Sequence, residues 1–384
     1  MRSGLSSASH FRGSTEESGR GQSGTGGRSL SPGCAVKQKG RQKMERIDPG
    51  KIPMYSLPDG EKIPMIGMGT FGNDRFTPEQ VSSAVKGAAL AGYRFFDCAA
   101  AYQNEAQIGE ALKEAMEEGG IARKELFISS KVWNDMHGRG DVLIAAAKTL
   151  KDLQIDHLDG YMVHWPFPNY HPPGCARDYR NPASRPFIIE EFMETWEQME
   201  RLVDAGLVRY IGVSNMTLPK LKAILPLCRI RPVFNEVEMH PGFQQPELYE
   251  FCRENQILPI GFCPLGSPTR PDRDKLPDDV SVMDMPAVKR IAQAHGVHPA
   301  LVCIKWAVQR GHMPIPFSVY EAEYTSNLRA VTEDPLTPQE MQELKDADTG
   351  RRIIKAQNFL WPGASGWEDL WDLDGTISKN GWNS

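Results

Sequence analysis

Eight short apolar runs, each followed by a helical pattern, constrain this chain more than any other feature of it. The runs lie at residues 63–68, 93–97, 126–132, 158–164, 208–214, 233–238, 258–263 and 313–318. They are rich in β-branched and aromatic residues and carry little polar alternation, as strands buried on both faces do. Between and after them, periodicity near 3.6 predicts helices at 78–91, 104–118, 140–153, 188–205, 218–227, 246–255, 285–294, 299–309, 321–330 and 338–347. Eight β/α units within about 250–300 residues predict an α/β fold of the TIM (β/α)8 barrel type rather than an open sheet. A small hairpin is expected before the first unit, turning at Pro58-Asp59-Gly60.

Residues 1–43 lie outside this pattern. They are rich in Gly, Ser, Arg and Lys and poor in large apolar side chains, so a disordered basic extension is expected, with Met44 as an alternative start. Residues 44–384 are assigned to the barrel, with long loops at 165–187, 264–284 and 351–384. The last loop lacks periodicity but holds Phe359, Trp361, Trp367, Trp371 and Trp382, too much aromatic surface for a disordered tail. It either covers barrel surface or walls a pocket. A net charge of −5 over 384 residues argues against nucleic acid as a partner. No apolar run is long enough to cross a membrane. The seven cysteines form no Cys-x-x-Cys pair and no metal-ligand spacing, so no metal is expected, and reduced thiols point to the cytoplasm. A monomer or weak dimer is expected.

In such a barrel, chemistry collects at the carboxyl ends of the strands. Read in order, these ends present Gly69-Thr70-Phe71, then Asp97 with Tyr102 one loop beyond, then Lys131-Val132-Trp133 and His164-Trp165-Pro166. They continue with Ser214-Asn215, Asn235-Glu236, Phe262-Cys263-Pro264-Leu265-Gly266 and Phe317-Ser318. Lys131 stands inside an apolar strand, where an ammonium is costly unless paired. Asp97 on the neighbouring strand is the natural partner. A tyrosine beside such a pair suits general acid catalysis, and His164 on the same rim supplies a neutral hydrogen-bond donor. Gly67-Met68-Gly69-Thr70-Phe71-Gly72 matches Gly-x-Gly-x-x-Gly, but four residues intervene before a helix opens at Thr77-Pro78, so it is no Rossmann turn.

From about Ile52 onward the chain resembles an aldo-keto reductase. The resemblance rests on Gly69-Thr70-Phe71-Gly72, on Asp97-Cys98-Ala99-Ala100-Ala101-Tyr102-x-Asn104-Glu105, on Lys131-Val132-Trp133 and His164-Trp165-Pro166, on residues 206–215, and on Pro264-Leu265-Gly266-Ser267. It implies an oxidoreductase that interconverts a small carbonyl substrate and an alcohol with a nicotinamide dinucleotide laid across the barrel rim. By resemblance the catalytic tetrad is Asp97, Tyr102, Lys131 and His164, with Tyr102 the proton donor. Ser214, Asn215 and Glu236 match positions that hold the carboxamide, and Phe262 the position that stacks on the nicotinamide. Gly69, Thr70, Cys263, Leu265, Ser267, Phe317, Ser318, Val319, Tyr320, Glu323, Ser326 and Asn327 complete the implied coenzyme contacts. Phe71, Trp133, Trp165 and Trp361, with His164, are the implied substrate contacts.

Two departures from the family pattern carry information. Glu236 stands where a glutamine is usual, and a carboxylate there is expected to favour the cationic, oxidised coenzyme. NADPH-using members carry Ile-Pro-Lys-Ser after strand 8 and an arginine six residues beyond that lysine. Here Phe317 and Glu323 replace the two, and Thr269 aligns with an aspartate that clamps the lysine in some members. NAD(H) is therefore expected, with NADP(H) the alternative if Arg270, Arg273 or Arg329 replaces the lost charges. Tyr170, His171, Arg177, Asp178, Tyr179, Arg180 and Arg185 in the loop after strand 4 point to a polar substrate such as a sugar, polyol or oxo-acid, with an apolar carbonyl as the alternative. A non-catalytic NAD(P)-binding scaffold would fit a chain lacking Tyr102 or Lys131, and both are present. A zinc alcohol dehydrogenase would need a ligand cluster that the sequence does not offer.

Overall fold

A computed structural model describes residues 46–72, 75–176, 178–268, 275 and 281–382. The expectations for residues 1–43 and for Arg177, Thr269, Arg270 and Arg273 fall outside the described residues.

The barrel strands are β1 (Met68–Gly69), β2 (Phe95–Asp97), β3 (Phe127–Val132), β4 (Leu158–Val163), β5 (Val208–Ser214), β6 (Phe234–Glu238), β7 (Leu258–Phe262) and β8 (Met313–Pro314). Each pairs in parallel with the next in chain order. The ring closes where Gly67 N and Gly69 N donate to Pro314 O and Pro316 O, both at 3.1 Å. A Cβ on Gly69 would lie 3.1 Å from Ile315 O, so this glycine serves the close approach of first strand to last. The helices are α1 (Pro78–Ala91), α2 (Glu105–Gly119), α3 (Asp141–Leu153), α4 (Ile189–Asp204), α5 (Leu218–Ile224), α6 (Pro246–Glu254), α7 (Pro286–His295), α8 (Pro299–Arg310), α9 (Glu321–Ala330) and α10 (Pro338–Asp346). Their starts follow the local sequence. Thr77 and Gln80 form a reciprocal capping box on α1, as Thr337 and Glu340 do on α10.

Proline accounts for the main differences from the predicted boundaries. The first run divides at Pro64: Lys62–Pro64 pairs with Met54–Ser56 as the expected hairpin, and β1 begins only at Met68. Pro314 and Pro316 shorten β8, because a residue without an N–H cannot donate to a ladder, although their carbonyls still accept. Helix α5 stops at Ile224, before the Leu225-Pro226 step that disfavours helical backbone.

Strand alternation places the site. Phe95, Phe127, Met162, Phe234, Leu258 and Ile260 point into the barrel, where they form one apolar cluster with Leu57 and Ile63 of the hairpin segment. Phe96, Ile128, Val132, Tyr161, Val163 and Val237 belong to the cluster between sheet and helices. Continuing each inward series by two or four residues along its strand brings Asp97, Lys131, His164, Glu236 and Phe262 to the same interior. The C-terminal segment lies over this end. Glu238, two residues past Glu236, accepts Ile353 N at 2.7 Å and Ile354 N at 2.8 Å. Lys220 of α5 pairs with Asp372 at 2.5 Å, both buried. Phe359, Leu360, Trp361, Leu370 and Trp371 pack on Trp165 and Phe167. No described helix is long and apolar enough to cross a membrane.

His312, just before β8, is fully buried against Trp306 of α8 and Tyr249 of α6, and neither ring nitrogen has a hydrogen-bond partner. Burial, aided by Arg310, holds its pKa well below the usual value. Below pH about 6.5 the unfolded chain takes up a proton here that the folded chain refuses, so this contribution to stability falls as pH falls. Replacing the ring removes that linkage. Between pH 6.5 and 5.5 the wild type is expected to lose about 1 kcal/mol more than His312→Leu, read from urea midpoints at each pH. Parallel pH dependence in the two proteins would contradict this.

Candidate active site

The centre of the site is a buried ion cluster. Lys131 Nζ lies 2.5 Å from Asp97 Oδ2 and donates to Cys98 O at 3.1 Å. Neither side chain is exposed beyond 1%. The second oxygen of Asp97 accepts Ser129 Oγ at 3.0 Å. Its backbone carbonyl accepts Thr70 Oγ1 at 2.8 Å, and Thr70 O accepts Asn104 Nδ2 at 2.9 Å. The ends of β1, β2 and β3 and the start of α2 are thereby tied together. Burial pulls the Lys131 ammonium toward neutrality, but Asp97 and then Glu236 outweigh it and hold the pKa well above the ordinary value.

Tyr102 closes a single 3-10 turn, Ala100–Tyr102, with its ring centroid 5.5 Å from Lys131 Nζ. Burial raises the phenol pKa. Lys131 works against that, while Asp97 and Glu236 add to it, and the balance lies above the ordinary value. Tyr102 is therefore a protonated acid at neutral pH. The His164 ring meets Tyr102 edge-on at 5.9 Å and Trp133 at 5.0 Å. Burial and then Lys131 keep it neutral, and Nδ1 has no partner. A neutral imidazole holds one N–H donor for a ligand.

Glu236 extends the cluster in a way the sequence did not reveal. Its Oε2 lies 3.2 Å from Lys131 Nζ, across the barrel from β6 to β3. Burial first, then Asp97, push its carboxyl up to about 8 against the pull of Lys131.

A cavity of about 1480 Å³ opens above these groups. Gly69, Thr70, Phe71, Asp97, Tyr102, Trp133, His164 and Trp165 border it. Along the later strands so do Ser214, Asn215, Glu236, Phe262, Cys263, Leu265, Ser267, Phe317, Glu323, Ser326 and Asn327. An ordinary small-ligand pocket holds about 300–1,000 Å³, so this one exceeds what a single small ligand needs. Asn215 adopts left-handed backbone, φ 57°, and its Nδ2 donates to His164 O at 2.9 Å and Ser214 Oγ at 3.1 Å. Its Oδ1 is buried without a partner, an acceptor suited to the N–H of a carboxamide.

Four of the expected contact residues do not line this cavity. Ser318 does not border the cavity: its Oγ donates to Glu323 at 2.7 Å and accepts Tyr320 N at 3.0 Å. Val319 packs on the outer core, and Tyr320 is 59% exposed. Trp361 is buried with Nε1 bonded to Asn380 O, and Phe359 borders the cavity in its place. In the loop after β4, Tyr170 and His171 reach the cavity, whereas Arg185 pairs with Glu191 at 2.9 Å.

The sequence profile of the aldo/keto reductase family matches residues 65–349. The chain belongs to this family. It is 38% identical to an aldo/keto reductase of Synechocystis over 332 residues, 86% of this chain and 99% of that protein. It is also 38% identical to aldo-keto reductase family 1 member A1 of Xenopus tropicalis over 305 residues, 79% and 91% of the two chains. Among solved structures it is similar to a Bombyx mori aldo-keto reductase in complex with NADP. That match has a TM-score of 0.69 and 29% identity, over 79% of this chain and 95% of that one.

In this aldo/keto reductase, Ser129 and Phe359 are site residues that sequence reasoning passed over. Ser129 has the same strand parity as Lys131, which was a usable signal. Phe359 lies in a segment without periodicity, which offered none. The cluster also yields a stability test. Lys131→Met leaves Asp97 and Glu236 facing each other without a cation, at a cost of about 3–5 kcal/mol. Because carboxylates so placed must take up protons, the deficit relative to wild type should grow between pH 7 and pH 9 in urea unfolding. A deficit that does not change with pH would count against the charge cluster.

Proposed function

We propose that this aldo/keto reductase interconverts a carbonyl compound and its alcohol with a nicotinamide coenzyme, using Tyr102 to exchange the proton. The observation that carries the reading is the sealed Lys131–Asp97 pair, with the ring of a protonated Tyr102 5.5 Å from the ammonium and a neutral His164 beside it. When bound, the reduced coenzyme supplies a hydride. His164 donates one ring N–H to the carbonyl oxygen and so orients it. Tyr102 gives its hydroxyl proton to the same oxygen, and the phenolate left behind is stabilised by the Lys131 ammonium. Asp97 keeps that ammonium charged and fixed in place. Phe71, Trp133 and Trp165 keep the reacting centre apolar. Lys355, Gln357, Asn358 and His171 on the same cavity wall favour a polar substrate.

For the coenzyme we read a preference for NAD(H). Phe317 packs edge-on against Phe76 at 5.9 Å, and Glu323 accepts Ser318 Oγ, so neither offers a cation to a 2′-phosphate. Glu323 would repel such a phosphate, and a carboxylate can accept from a free ribose diol.

Tyr102→Phe is expected to lower kcat by about 10²–10⁴-fold while leaving coenzyme binding intact in a fluorescence titration. The assay is a panel of aldoses, oxo-acids and uncharged aldehydes. Near-native turnover of any of them by the variant would remove Tyr102 from the reaction.

The coenzyme preference is tested by kcat/KM with NADH and NADPH on one aldehyde. Phe317→Lys combined with Glu323→Arg should shift the ratio toward NADPH by about tenfold or more, equivalent to about 1.4 kcal/mol. A wild type that clearly prefers NADPH overturns the reading.

A further inference from the structure

We propose that Glu236 is a positioning residue for the proton transfer: it competes with Tyr102 for the charge of Lys131, and its own ionisation sets how readily Tyr102 releases a proton. This deepens the reading of Tyr102 as the acid and rests on it.

An ammonium has three hydrogens. Lys131 gives hydrogens to Asp97 Oδ2 at 2.5 Å and Cys98 O at 3.1 Å, and the Tyr102 ring stands 5.5 Å from the same nitrogen. Glu236 Oε2 nevertheless lies 3.2 Å from the same nitrogen and has no hydrogen-bond partner. Its carboxylate and the Tyr102 ring thus face one and the same ammonium. The groups facing it are Asp97 of β2, Tyr102 of the following turn, Lys131 of β3 and, beyond Lys131, the neutral His164 after β4. Ser214 of β5 donates its hydroxyl to the backbone carbonyl of Glu236 at 2.9 Å, leaving the carboxylate to Lys131. Phe262 of β7 is uncharged.

The cluster therefore has two states. With Glu236 protonated, Lys131 and Asp97 cancel. With Glu236 ionised, two carboxylates share one cation and the cluster carries a net −1. Its carboxyl is pushed up to about 8, so both states exist in the range where enzymes are assayed. In carbonyl reduction the Tyr102 O–H bond breaks, an O–H bond forms on the substrate oxygen, and a phenolate remains beside Lys131. Against the neutral cluster that phenolate has the ammonium to itself. Against the ionised cluster it is a third anion around one cation. Reduction should slow as pH rises through the Glu236 titration, and alcohol oxidation, which begins from the phenolate, should need higher pH.

The test follows kcat for reduction of 4-nitrobenzaldehyde at saturating reduced coenzyme from pH 6 to 10. It uses the wild type, Glu236→Gln, Glu236→Asp and, as control, Tyr102→Phe. The wild type is expected to decline through pH about 8, and the limb in Glu236→Gln to lie about one unit or more higher. A displacement of one unit amounts to about fivefold more of the pH 7 rate surviving at pH 9. Glu236→Asp keeps a titrating carboxyl but withdraws it from Lys131, so its limb should be present and displaced. If Glu236→Gln does not fold, the aspartate variant decides alone, and a limb at the wild-type position overturns the proposal. So does a Gln variant that keeps the wild-type limb and changes only the ratio of oxidised to reduced coenzyme dissociation constants. That result would make Glu236 a coenzyme contact. Tyr102→Phe separates the two levels: turnover without the hydroxyl defeats the underlying reading, whereas an inactive Tyr102→Phe with unmoved Glu236 limbs defeats this inference only.

Discussion

An ammonium with no exposed surface in the middle of a barrel has to be compensated where it stands. Compensation for Lys131 organises everything around it. Asp97 is its partner at 2.5 Å, and Asp97 is itself fixed by Ser129. The backbone carbonyl of Asp97 receives Thr70, and the carbonyl of Thr70 receives Asn104 at the mouth of α2. One buried charge thus accounts for the alignment of three strand ends and a helix. On the proposed reading, the same requirement supplies the chemistry. A cation that can be neither solvated nor moved is preorganised to meet an oxyanion forming beside it, and no reorganisation is needed when that happens.

The polar groups above that layer hold structure rather than chemistry. Glu238 continues the inward series of Glu236 one pleat higher, but both its oxygens are taken by the backbone of Ile353 and Ile354. Lys220 and Asp372 make a second buried pair farther along the same C-terminal segment. Between these anchors the aromatic cluster around Trp165 and Phe359 is pressed onto the barrel mouth. A segment without helix or strand is thereby a rigid wall, because its order comes from buried ion contacts and apolar area instead of a repeating backbone ladder.

What the sequence disclosed follows from the range of each signal. Strand ends are legible locally, so they placed Asp97, Lys131 and His164 on one rim, and the cost of an unpaired ammonium in an apolar strand foretold the Asp97–Lys131 pair on adjacent strands. Element boundaries went astray where proline intervened: runs at 63–68 and 313–318 read as full strands, but β1 and β8 are two residues each. Tyr102 lies past the end of β2, where no period operates, and only the motif pointed to it. The Lys131–Glu236 contact was illegible for another reason. β3 and β6 are not neighbours in the sheet, and what lies opposite across a barrel depends on the stagger that closes it, which no single strand encodes. The exchange of Trp361 for Phe359 at the cavity was decided likewise by distant partners, since the indole N–H of Trp361 is spent on Asn380.

The departures from the family pattern have one electrostatic sense. A glutamate for glutamine at 236 adds a negative charge once ionised, phenylalanine for lysine at 317 removes a positive one, and glutamate for arginine at 323 reverses a charge. All three border the same cavity. A dinucleotide brings two phosphates in NAD and three in NADP, so a cleft made more negative penalises the second more than the first. It also penalises the neutral reduced ring less than it rewards the cationic oxidised one. On the proposed reading, the substitutions at the two ends of the coenzyme are then not independent. A cleft adapted to the less anionic dinucleotide can tolerate a carboxylate beside Lys131, because the overall repulsion it must overcome to bind coenzyme is smaller. On that same reading, a carboxylate at 236 that retards proton release from Tyr102 and the absent cation at 317 both belong to a cleft adapted to NAD(H) in its oxidised form.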